Sequence, residues 1–224
     1  MSAMSEILLS PNEARVIAVL VEKSITTPQY YPMTVNAIML AANQKSSRSP
    51  VMQLSEGDVG NALNQLEEHR LVGRDSFSGR AQKWRHQFLH QMLLKPATQA
   101  VLVTLMLRGP QTVAELRANA GSLNGPGDDE GVLASLDDLA DRAQPLVVQL
   151  PRAPGQSAVR YAHLLCGADA VPAAPEGGAA PATERRGDAQ RLAALEGRIA
   201  MLEARLASLE QVLGVQSEAR AELY

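Results

Sequence analysis

Ser55-Glu56-Gly57-Asp58-Val59-Gly60-Asn61-Ala62-Leu63-Asn64-Gln65-Leu66 carries apolar residues at Val59, Leu63 and Leu66, spaced four and then three apart. That spacing, behind a serine suited to cap a helix N-terminus, predicts an amphipathic helix. A few residues later the period changes. Leu71-Val72-Gly73-Arg74 predicts a short strand, Ser76 to Gly79 a turn, and Ala81 to Phe88 a second strand bearing Lys83, Trp84, Arg85 and His86.

Two further helices are written upstream. Ser10-Pro11-Asn12-Glu13 combines a serine cap, proline at the first helical position and glutamate at the third, and Val16, Ile17, Leu20 and Val21 follow at helical spacing to about Lys23. Pro28 and Pro32 end that pattern. Thr34 to Ala42 resumes it through Val35, Ile38, Met39 and Ala42, and the polar segment Asn43 to Pro50 closes it. Three helices and then a β-hairpin is the order of a winged helix-turn-helix, with the third helix as recognition helix and the hairpin as wing.

The order then repeats. Leu94-Lys95-Pro96 parallels Leu9-Ser10-Pro11 and opens a helix through Val101, Leu102, Leu105 and Met106 that stops at Arg108-Gly109-Pro110. Thr112-Val113-Ala114-Glu115 is a second capping box, leading through Leu116. Asp128 or Asp129 caps a third helix facing the core with Val132, Leu133, Leu136 and Leu139. Leu146 to Leu150, a turn at Pro154-Gly155 and Val159 to Leu164 form a second hairpin, in which Tyr161-Ala162-His163 matches Trp84-Arg85-His86 in place.

The expected fold is therefore mainly α with small β-hairpins (α+β): winged-helix domains over residues 1–93 and 94–166, then a flexible Ala/Pro/Gly linker over 167–188 and a coiled-coil helix over 189–216. In that last segment Leu192, Leu195, Ile199, Leu202, Leu206, Leu209 and Leu213 alternate spacings of three and four, an a/d seam. Glu196, Glu203 and Glu210 then fall at e, and Arg198 and Arg205 at g. Parallel pairing sets Arg198 beside Glu203 and Arg205 beside Glu210, whereas antiparallel pairing brings like charges together. The reading is a parallel homodimer; its alternative is a solitary helix folded back on its own chain.

Composition narrows the function classes. Of 224 residues, 46% are apolar and 20% charged, a globular balance, and the net charge of −3 excludes a chain that is basic throughout. Two Phe, four Tyr and one Trp are too few for the stacking platforms of single-strand readers. Cys166 is the sole cysteine, which excludes an intrachain disulfide and a Cys-based zinc site. No run reaches the ~18 apolar residues of a membrane span, and no secretory leader opens the chain, so a cytoplasmic protein without membrane contact is expected.

Enzyme chemistry finds little footing. Glu67-Glu68 and Asp137-Asp138 are adjacent, so on a helix each pair diverges by ~100°. His86 and His90 have i, i+4 spacing but lie across a strand end, and Cys166 has no local base. No phosphate-binding glycine loop is present. The expectation is a non-enzyme without metal or cofactor.

Charge divides by segment. Residues 1–95 hold ten basic and eight acidic side chains, for +2, and residues 96–168 five basic and seven acidic, for −2. In the first domain the basic residues gather before the third helix, at Lys45 and Arg48, and on the hairpin, at Arg74, Arg80, Lys83 and Arg85. A winged helix grips phosphates at those two places. Asn61, Asn64 and Gln65 on the third helix are the candidate base readers, since amides pair with adenine. Six of the seven acids of the second domain lie on or beside its third helix, which suits a protein partner better than DNA. Two readings follow: a DNA-binding, regulator-like dimer, or a protein-interaction scaffold that does not touch DNA.

Thr26-Thr27-Pro28, Tyr31-Pro32, Asn36-Ala37, Asn43-Gln44-Lys45-Ser46 with Arg48 and Pro50-Val51, Arg108-Gly109-Pro110-Gln111-Thr112 and Tyr161-Ala162-His163-Leu164-Leu165 resemble the YceH family of bacterial proteins, over about residues 8–166. The resemblance implies a tandem winged-helix fold and no assigned enzymatic activity, with DNA binding suggested by fold alone. The chain departs from the family pattern at Ala42, Ser47 and Ala114, and lacks its arginine and aromatic residues between Ala118 and Gly127.

Overall fold

A computed structural model describes residues 8–76, 81–152 and 158–170. Arg80, the turn at Pro154-Gly155, most of the linker and the Leu192–Leu213 seam with its dimer lie outside the described residues. The chain divides into a unit over residues 1–176 and another over 177–224, and all described residues belong to the first.

Among the described residues the architecture is α+β, with seven helices and small antiparallel sheets. Helix α1 (Pro11–Thr26) is followed by a 3-10 turn (Pro28–Tyr30), β1 (Met33–Thr34), α2 (Val35–Ala42), α3 (Glu56–Glu68), β2 (Val72–Arg74), β3 (Lys83–His86) and the short α4 (Phe88–Gln91). Then come α5 (Pro96–Arg108), α6 (Val113–Ala120), α7 (Asp129–Ala140), β4 (Val147–Gln149) and β5 (Tyr161–His163).

The caps stand where the residue types place them. Ser10 with Glu13, Ser55 with Asp58 and Thr112 with Glu115 form reciprocal capping boxes, Thr34 caps α2, and Asp128 caps α7 by accepting from the Gly131 N–H at 2.8 Å. Helix α1 runs three residues past the expected Lys23. Its polar end is held by hydroxyls that donate backwards, Ser24 to the Val21 carbonyl and Thr26 to the Glu22 carbonyl. Helix α3 closes in a Schellman motif, with Arg70 N–H on Glu67 O and Leu71 N–H on Leu66 O, and Arg70 takes the left-handed conformation at φ 58°.

Two helices are buried on nearly every side, Ala14 to Val21 of α1 and Thr98 to Leu107 of α5. A helix apolar all round belongs in a core. Helix α1 packs on α2, α3 and α5, while α5 packs on α6 and α7. The buried apolar residues of both halves form one continuous cluster from Leu9 to Leu165, each large side chain in it stabilising by roughly 1.5–3 kcal/mol.

The two hairpins pair like residues. Val72 pairs with His86 and Arg74 with Trp84 in one hairpin, and Val147 with His163 and Gln149 with Tyr161 in the other. Strand β1, which the sequence patterning did not reveal, lies against β3 with Met33 opposite Trp84, and a single bridge between Gln111 and Tyr161 takes its place in the second half. Two residues are too few to show an alternation.

The segment Asn43 to Pro50 joins the halves. The Asn43 amide exchanges two 2.8 Å hydrogen bonds with the Leu54 backbone, Ser49 N–H donates to Leu107 O at 2.8 Å, and Arg108 donates to Ser47 Oγ at 2.8 Å. Gly109, at φ 72°, lets α5 end against this loop: a Cβ there would lie 3.4 Å from the Ser49 carbonyl oxygen. On the opposite linker, Arg142 donates to the carbonyls of Met92 and Leu93. No helix among the described residues is long and apolar enough to cross a membrane.

Candidate nucleic-acid interface

On α3 the core takes Val59, Ala62, Leu63 and Leu66, so the same helical period turns Asn61 and Asn64 fully outward and leaves Gln65 half-buried at the edge. No hydrogen bond engages the amides of Asn61 and Gln65 among the described residues. The Asn64 oxygen accepts from Arg74 at 3.4 Å.

The expected cations divide into three groups. Arg48 is a correction. Its side chain is 0% exposed, and its guanidinium donates to both Glu22 oxygens, to the Ala41 and Ser47 carbonyls and to Gln44 Oε1. All five N–H donors are spent internally, and none is left for a phosphate. Arg74 and Arg85 are exposed but held by carboxylates, Arg74 by Glu67 at 3.0 Å and Arg85 by Asp75. Lys45, exposed on the 43–50 loop, and Lys83, half-buried on β3, form no ion pair among the described residues. Register places Lys83 opposite Thr34, the cap of α2.

Residue pattern alone had missed the partners. Arg15 is buried and donates to the carbonyls of Ala42 and Pro50; burial first, then the nearby Arg48, lowers its pKa to about 10. Burial would raise Glu22, but its hydrogen-bonded pairing with Arg48 outweighs this and holds the carboxyl below its ordinary value. The signal available in the sequence was Glu22 itself, an acid directly after the apolar run Val16 to Val21 of α1. A buried acid needs a buried base.

On α7, Asp128 is spent as a cap, Asp129 pairs with Arg117 at 2.9 Å, and Asp138 faces Arg142 at 3.5 Å and accepts from Thr98. Glu130, Asp137 and Asp141 are exposed, and Leu133, expected in the core, is instead 41% exposed between them. It sits one residue past Val132, off the apolar stripe.

The titratable groups nearest to enzyme chemistry are turned to other uses. His86 Nε2 lies 3.0 Å from Ser24 Oγ, yet that hydroxyl already donates to Val21 O at 2.7 Å. Nε2 is therefore the donor, and His86 is no base toward Ser24. Desolvation, and secondarily His90, lowers His86 to about 4; desolvation does the same for His163. Burial and then Glu13 push the Cys166 thiol up to about 11, an inert thiol at neutral pH. Among the described residues, no three His, Cys, Asp or Glu side chains gather to hold a metal ion.

Residues 9–156 match the family described as "Protein of unknown function, DUF480". The chain is also similar to the UPF0502 protein of Azoarcus sp. (strain BH72), at 47% identity over 84% of this chain and 83% of the relative. The UPF0502 protein of Geobacter sulfurreducens is 42% identical over 85% of this chain and 88% of its own, and that of Acidovorax sp. (strain JS42) 44% identical over 92% and 95%.

Proposed function

The chain belongs to the DUF480 family, and we propose that it is a duplex-DNA-binding protein of tandem winged-helix build, acting by recognition and not by catalysis. Helix α3 is the recognition helix and β2–β3 its wing. The observation that carries this is the outward face of α3, where the amides of Asn61 and Gln65 and the amide nitrogen of Asn64 are not consumed by the fold. Lys45 and Lys83 supply backbone contacts, with Arg85 released from Asp75 on binding. A parallel homodimer through Leu192 to Leu213 brings two such faces together, which offsets the modest affinity of one weakly basic half.

The test is duplex binding by the full-length protein across a salt series. Affinity should fall steeply from low to moderate salt, and a Lys45→Ala, Lys83→Ala double variant should flatten the slope by about 0.9 per contact removed. Absence of binding at the lowest salt, with a dimeric mass in light scattering, would sink the reading.

A second reading is supported by α7: Leu133 exposed among Glu130, Asp137 and Asp141 suits a partner protein presenting an apolar contact ringed by cations. Under it the second half recruits protein, and Leu133→Lys abolishes capture of that partner while leaving duplex binding unchanged.

A further inference from the structure

Arg74 stands among the cations expected on phosphate, but its head group has three partners inside the molecule. One terminal nitrogen lies 3.0 Å from Glu67 Oε2 and 3.4 Å from Asn64 Oδ1. The guanidinium carbon sits 5.1 Å from the ring centroid of Trp84, its cross-strand neighbour. Trp84 is buried, so its ring is a fixed platform.

A guanidinium has donors and no acceptors. The Asn64 atom turned toward it is therefore the carbonyl oxygen, and the amide NH2 is the part left free on the outward face of α3. Bidentate pairing of asparagine with adenine needs both ends of the amide, the oxygen accepting from N6 and the nitrogen donating to N7. With its oxygen turned to Arg74, Asn64 presents its two amide hydrogens to whatever lies against α3.

We propose that Arg74 is a positioning residue that makes Asn64 a donor-only reader, so that α3 selects guanine, with its O6 and N7 acceptors, over adenine at the base Asn64 meets. The inference rests on α3 entering the major groove as proposed above, and it moves Arg74 from the phosphate-gripping set to the reading set. Glu67 belongs to the same set of contacts: its carboxylate pairs with that nitrogen at 3.0 Å and keeps the guanidinium at the helix.

The experiment is selection from a random duplex library by the full-length protein, run in parallel with Asn64→Ala and Arg74→Met. Methionine keeps an apolar stem over Trp84 and gives no donor. The wild type should enrich guanine at one position whose preference Asn64→Ala erases. Arg74→Met should shift that position toward adenine, changing relative affinity about tenfold, with the salt slope unchanged. Loss of a phosphate contact would instead lower the slope by about one. As a readout independent of variant folding, 7-deazaguanine at that position should weaken wild-type binding.

Adenine at the Asn64-dependent position in the wild type, an unmoved preference in Arg74→Met of wild-type melting temperature, or indifference to 7-deazaguanine overturns the proposal and leaves DNA binding standing. No enrichment by the wild type overturns DNA binding and the proposal together.

Discussion

The third helices of the two halves share a frame and oppose each other in surface. Val59, Leu63 and Leu66 of α3 correspond to Val132, Leu136 and Leu139 of α7, all buried, and each helix leads into a hairpin that pairs valine with histidine at the same register. On the outward faces, Asn61, Asn64 and Gln65 correspond to Ala134, Asp137 and Asp138. Two of these three amide positions on α3 carry carboxylates on α7. The core pattern sets which way a helix faces, and what the face carries is free to diverge. The halves also differ beneath the surface: the first has the buried Arg48–Glu22 pair, the second, among the described residues, the part-exposed Arg160–Glu115 pair, and Ala100 occupies the place of Arg15.

That asymmetry gives the largest expected effect. Arg48→Ala strips Glu22 of its two-pronged partner and leaves it only Lys23, 3.2 Å away, and should cost about 3 kcal/mol in urea unfolding. A loss under 1 kcal/mol would mean the pair is solvated and the halves more alike than described. The next test addresses what the halves share. His86 and His163 sit at equivalent positions with pKa values near 4, below the ordinary 6.5. The unfolded chain therefore takes up these protons first, and stability is full above about pH 6.5 and falls as pH drops toward 4, by roughly 2–3 kcal/mol per histidine. For His86 the surroundings include Ser24, Tyr31, His90 and the neighbouring Arg85, and none of them is an anion that would rescue the imidazolium. Replacing either histidine with glutamine should remove its share of the slope.

Smaller still is the exchange of surfaces. Asn64→Asp gives α3 the residue of α7 and should weaken duplex binding about tenfold or more, while Asp137→Asn should gain nothing, because its helix lacks the flanking amides. Equal responses would dissolve the functional contrast. The smallest effect concerns the helix ends: Arg70→Gly relieves a left-handed residue and should add about 0.5–1 kcal/mol of stability.

Sequence reading reached the helices and their caps, because those rest on local signals: apolar spacing, capping boxes and proline positions. It read Asn61 and Asn64 as outward for the same reason. Arg48 misled it. The charge of an arginine in a polar loop is visible in sequence, but the carboxylate that swallows it is 26 residues away on α1, and only the folded chain brings the two together. Strand β1 escaped for lack of length, and Glu67 and Asp75 escaped because an acid reads as a solvated face until the strand beside it is placed. The Asn43-Gln44-Lys45-Ser46 segment, part of the family resemblance, serves the fold at two positions: Asn43 fastens Leu54 and Gln44 accepts from Arg48.

Loop 43–50 is stitched to the floor of the first half through Arg48 and to the end of α5 through Ser49 and Ser47. The loop that leads into α3 is thereby riveted to the end of α5, so a strain set up in one half is handed to the other through these few bonds.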